Sequence, residues 1–168
     1  MSRTTVYVVN DSNKIVKLRE LRNSWGSATV VWSVLFDKYI TREHKYDDYL
    51  SKPERLWVLY DDPRLSDCER FALFMTFDRF IIEGDKFIEA ADLLDLFVHN
   101  SNYDRNRVNH LPYIAQLLRD HAGKYKGMCF YMTSVADNPW FISSEDRPFD
   151  FSIDNHYWVF ESMTEVKK

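Results

Sequence analysis

The side chains best suited to hold an anion or a partner lie between two apolar stretches, in residues 100–109 (NSNYDRNRVN). Arg105 and Arg107 carry guanidinium forks that match phosphate or carboxylate, and Tyr103 offers a ring for stacking or a hydroxyl for hydrogen bonding. His99 and His110 bracket the segment. A polar loop this long is uncommon in a compact domain and is often functional. The plainer alternative is a solvated connection whose Asn side chains satisfy their own turns. A second constellation is Arg22, Ser24, Gly26 and Ser27 at the start of an apolar helix pattern. A helix N-terminus with free N–H groups, two hydroxyls and upstream arginines (Arg19, Arg22) can seat an anion. The same residues also read as an ordinary cap, with Gly26 making the turn and Trp25 plugging the core.

A third group is both aromatic and acidic. Trp140, Phe141, Phe149, Phe151, Tyr157, Trp158 and Phe160 alternate with acids that include Asp146, Asp150 and Asp154. Residues 134–166 hold seven acids and one base, Arg147. Amphipathic rings are favoured interface anchors, and an acidic surround steers a basic partner. Alternation along 157–160 would bury some of the rings instead.

Other chemistry-bearing residues are weaker candidates. Asp61 and Asp62 follow an apolar run, where ligands gather in α/β sheets, but Pro63 fits a turn equally well. Glu89, Asp92 and Asp95 form an acidic ridge at helical spacing, which also describes a solvated stripe. His99, His110 and His121 are spaced by eleven, too far apart on a helix to share one metal. Cys68 and Cys129 fall in apolar runs with no CxxC pair, and no GxSxG elbow occurs. No cofactor or metal is expected.

These residues need elements to position them. Residues 4–9 and 15–19 alternate as a β-hairpin around an Asn/Asp turn. Residues 28–40 form a largely buried helix with Thr29, Ser33 and Asp37 as a polar stripe. Residues 56–60 (LWVLY) read as a central strand. Ser66 and Glu69 make a capping box for a helix that runs to about Ile82. Residues 86–99 and 111–121 are further helices, and residues 128–133 and 157–161 are strands. The expected order is β-β-α-β-α-α-α-β-β. It predicts an α+β or mixed-sheet α/β fold, with helices packed on a mixed or antiparallel sheet in one domain over 1–168 and a frayed tail from 163.

Composition narrows the classes. The 168 residues include 12 Phe, 10 Tyr and 5 Trp but only 4 Gly, against roughly 12 for average usage. Neither GxGxxG nor GxxxxGK[ST] is present, which excludes the usual phosphate-cradling loops. Residues 1–45 hold eight Lys/Arg against four Asp/Glu, and the remainder fourteen against twenty-two, so the net charge of −4 hides a basic and an acidic end. No signal-like start or membrane-length apolar stretch occurs, and a reducing cytoplasm is expected.

The reading favoured by these residues is a non-enzymatic interaction protein, an inhibitor or adaptor of the kind viruses and phages use as accessory factors in a host cytoplasm. It would bind another protein through the aromatic-acidic end or the loop of residues 100–109. The alternative is binding or hydrolysis of a phosphate-bearing nucleotide, with Arg22, Ser27, Arg105 and Arg107 on phosphate and Asp61 or His99 moving protons. Single-stranded nucleic acid ranks third, since the pI near 5.7 leaves only a local basic groove.

Overall fold

The structure, a computed structural model, describes residues 3–22, 25–49, 53–77, 80–103, 109–133 and 152–166. β1 (Arg3–Val9) and β2 (Ile15–Arg22) form the expected hairpin. Its turn is built by asparagines. The Oδ1 of Asn10 accepts from the N–H groups of Ser12 and Lys14 at 3.0 and 2.9 Å. Asn13 takes the left-handed backbone (φ 58°) that Asn tolerates better than most residues.

β4 (Gly127–Thr133) pairs antiparallel with β1 from Arg3↔Thr133 to Val9↔Gly127. β3 (Phe80–Glu83) runs antiparallel to β4, and the two-residue β5 (Tyr157–Trp158) runs parallel to β3. The strand order is β2-β1-β4-β3-β5, a mixed sheet. Side-chain alternation gives it two apolar faces. Val6, Val8, Phe80, Ile82, Met128 and Phe130 join the main core under the helices. Tyr7, Val9, Ile15, Ile81 and Cys129 form a smaller cluster with Ile153 and Trp158. Gly127 faces this smaller cluster, where a Cβ would fall 2.5 Å from the Ile81 side chain and 3.1 Å from the Trp158 ring.

Six helices complete the described fold: α1 (Trp25–Tyr39), α2 (Pro53–Trp57), α3 (Asp67–Phe74), α4 (Phe87–Asn100), α5 (Leu111–His121) and α6 (Val159–Val166). The class is α+β, with helices on a mixed sheet. In α1 the apolar residues Val30, Val31, Trp32, Leu35 and Phe36 are buried while Asp37 is exposed, as the polar stripe requires. The capping box of α3 is present, with the Ser66 N–H donating to Glu69 at 3.0 Å. Burial pushes the Glu69 carboxyl up, but hydrogen bonds from Lys38, Ser66 and Tyr39 outweigh it and hold the group below the usual range.

Three expectations need correction. Residues 56–60 are not a strand: Pro53 opens α2, and a 3-10 turn (Val58–Asp61) follows it. Leu56 and Leu59, three apart, are buried, whereas Trp57, Val58 and Tyr60 are 43%, 64% and 41% exposed. That is helical spacing in a run too apolar for periodicity to decide. The helix expected to reach Ile82 stops at Phe74. There the N–H groups of Thr76 and Phe77 turn back to Leu73 and Phe74, and residues 80–83 become β3. Both faces of β3 are buried, so its sequence shows no alternation. At the C-terminal end the strand lasts only two residues and α6 follows. Residues 163–166, placed in a frayed tail by the sequence, are helical, and Met163 is buried against the core.

Candidate interaction groove

The two helical corrections create a concavity. The end of α2 supplies Trp57, the 3-10 turn supplies Tyr60 and Asp61, and the end of α3 supplies Phe74, Thr76 and Phe77. The facing wall is Tyr157 of β5 with Ser162, Glu165 and Val166 of α6. Together they enclose an open groove of about 850 Å³.

Five aromatic rings line it in a connected array. Buried Phe74 is the hub, 5.6 Å from Phe77, 6.0 Å from Tyr157 and 6.4 Å from Tyr60 by ring centroid. Trp57 joins through Phe77 at 6.3 Å. Interplanar angles of 58–76° make these contacts edge-to-face or steeply tilted, the arrangement that ring quadrupoles favour. Trp57 and Tyr60, at the rim, are therefore held by rings behind them.

The 3-10 wall is anchored by a buried cation. Arg70, 3% exposed on α3, donates to the carbonyl oxygens of Tyr60 and, at 2.8 Å, Asp62. The neighbouring acids then diverge. Asp62 is gripped by Arg64 through both carboxylate oxygens, and those hydrogen bonds hold its carboxyl down at about 2. Asp61 has no ion-pair partner among the described residues and faces the groove. Glu165 of α6 is likewise free of one. Among the described residues, the charged side chains that line the cavity are these two carboxylates.

The opposite wall is fastened from β3. The Oε1 of Glu83 accepts from the N–H groups of Phe160 and Glu161 at 2.7 and 3.0 Å, satisfying two donors of the first turn of α6. The Phe160 ring packs 5.4 Å from Phe71. Burial pushes the Glu83 carboxyl up, and the Glu161 charge adds to the effect, against three backbone donors, its own N–H and those of Glu161 and Phe160.

Of the residues singled out in the sequence, Asp61 and Tyr157 line the groove. Arg105, Arg107, Trp140, Asp146, Asp150 and Ser24 lie outside the described residues, and the side chains of Arg22, Gly26 and Ser27 are not described. Tyr103 is half-buried and packed against the main core. Asp154 is exposed in a short 3-10 turn (Ile153–Asn155), away from the groove lining. The described start of the polar loop, Asn100 to Asn102, borders a separate cavity of about 510 Å³ with Lys38, Cys68 and Glu69. Asp61 and His99, offered as proton carriers for one pocket, are not brought together: Asp61 lines the groove and His99 does not. The acidic ridge of α4 is neutralised, with Arg119 bonding Asp92 and Asp95 at 2.7 Å each and Lys86 bonding Glu89 at 2.8 Å. Burial pushes the Cys129 thiol up to about 12, which leaves it protonated.

Sequence reasoning missed Trp57, Tyr60, Phe74, Phe77 and Glu165 as site residues. A usable signal was present, since Trp57 and Tyr60 are three apart and share a helical face once 53–61 is read as helix. Among the described residues, no group of His, Cys, Asp or Glu is arranged to hold a metal, and no helix is long and apolar enough to cross a membrane. No family model, curated protein or solved structure matches this chain.

Proposed function

We propose that the chain is a protein-interaction module whose groove takes an apolar-anchored, basic segment of a partner protein. The observation that carries this reading is the described lining: five rings and two carboxylates that pair with no described cation. Burying one anchor side chain among those rings contributes about 1.5–3 kcal/mol. Exposed ion pairs at Asp61 and Glu165 add about 0.2–1 kcal/mol each, so the rings supply affinity and the acids supply choice of partner. The aromatic-acidic character expected of the C-terminal residues thus recurs here, with Tyr157 and Glu165 from that end. The inhibitor or adaptor role and its cytoplasmic setting belong to the same reading.

A peptide-display selection on the full chain, counter-selected against Trp57→Ala, tests it. Enriched peptides should pair an aliphatic or aromatic residue with Arg or Lys and should lose about tenfold or more in affinity for the variant. Enrichment of acidic peptides, or binders indifferent to Trp57→Ala, contradicts the reading. So does a homodimer that Trp57→Ala dissolves, which would place a second copy of the chain in the groove.

A further inference from the structure

Two features of the groove restrict the cation it accepts. Asp61 and Glu165 come from different walls, one from the 3-10 turn and one from α6, and neither pairs with a described cation. Trp57 and Tyr60 stand at the rim, partly exposed and braced by Phe77 and Phe74. A cation that satisfies both features must lie against a ring and donate hydrogen bonds in more than one direction.

We infer that the groove recognises an arginine side chain of the partner segment, with its guanidinium over the rim rings and its N–H edges directed to Asp61 and Glu165. The inference rests on the groove being the binding surface and specifies which residue it selects. Guanidinium is planar and weakly hydrated, stacks on aromatic faces, and carries five donors in a fixed fork. Lysine's ammonium is compact and strongly hydrated, so desolvating it against rings costs more. A trimethylated ammonium gains from the rings but has no donor for the carboxylates. An apolar side chain uses neither acid.

Both kinds of cation take this combination of ring below and carboxylate beside within the chain, Lys38 over Tyr39 with Glu69 and Lys86 over Phe160 with Glu89 included, so the choice of arginine rests on its easier desolvation and its fork of donors. Arg64 lies 5.4 Å from the centroid of Tyr39 while forking to Asp62. Arg42 lies 5.8 Å from the centroid of Phe36 while paired to Asp37. Among the described residues of the groove the rings and acids are in place, and the partner segment brings the guanidinium. The volume of about 850 Å³ leaves room for the flanking residues of that segment.

The test titrates the full chain with four probes: the N-acetyl amides of arginine, lysine, trimethyllysine and norleucine. The readout is the indole N–H resonance of Trp57, assigned through Trp57→Phe. The arginine probe should shift it saturably and bind about fivefold or more tightly than lysine. The double variant Asp61→Asn/Glu165→Gln should abolish that preference while its thermal midpoint stays at the wild-type value. Lysine binding as well as arginine, trimethyllysine binding most tightly, or no shift with the arginine probe overturns the inference. Norleucine matching arginine also overturns it but leaves the groove as an apolar dock, so the broader reading survives. Loss of the Trp57 dependence in the display selection would sink both.

Discussion

Three residues on one wall of the groove differ in how their charge is used. Asp61 and Asp62 are identical in type and adjacent, yet Arg64 occupies Asp62 on both carboxylate oxygens and leaves Asp61 facing the cavity. The stability that Asp62 contributes through its lowered carboxyl is present above the unfolded value of 3.8 and is lost as pH falls toward about 2. The Asp61 carboxylate remains available for a ligand. Arg70 works from beneath, spending its buried guanidinium on two backbone carbonyls of the wall. Hydrogen bonds from a charged donor contribute about 1.5–3 kcal/mol each, more than an exposed ion pair. Arg70→Met keeps much of the aliphatic stem but leaves those carbonyls without their donor. Its unfolding free energy in urea should fall by about 2–4 kcal/mol. A variant as stable as wild type would show that the 3-10 turn holds itself in place.

At the scale of elements, the groove depends on two short helical pieces and one cap. α6 is eight residues long and is fastened by Glu83 at its N-terminus and by Val159 and Met163 in the core. The Glu83 carboxyl is raised above 4.5 by burial. For a raised acid, the folded state is favoured below the unfolded value, and that advantage is lost as pH rises through the folded value. Glu83→Gln keeps an oxygen acceptor for Phe160 and Glu161 without the buried charge. It should therefore melt above wild type at pH 7, with the gap closing below about pH 4.5. Equal midpoints at pH 7, or a gap that widens in acid, would contradict this account of α6. Much of the element pattern was legible in the sequence. The hairpin, the α1 stripe, the α3 capping box and α5 all carry local signals, namely alternation, a four-residue polar repeat, Ser66 with Glu69, and Leu111-Ile114-Leu118 spacing. The groove elements do not, because residues 56–60, 71–82 and 157–160 are apolar on nearly every position. Period cannot separate strand from helix there, and only packing against the sheet and Arg70 settles the choice.

For the molecule as a whole, the aromatic surplus divides by place. Phe36, Phe71, Phe80, Phe87 and Phe97 are almost completely buried and build the core of the α+β fold. Trp57 and Tyr60 remain partly exposed and line the same cavity as Asp61 and Glu165. The C-terminal portion contributes Glu165 to that cavity. A cleft bearing one sign of charge concentrates ligands of the other, and binding there should weaken as salt rises. The most direct measurement is a map of chemical-shift changes when the best peptide from the display selection is added to the isotope-labelled chain. The largest changes should fall at Trp57, Tyr60, Phe77, Tyr157 and Val166, around the groove. Changes centred instead on Asp154, or on Asn100 to Asn102 beside Lys38 and Glu69, with the groove resonances unmoved, would contradict it.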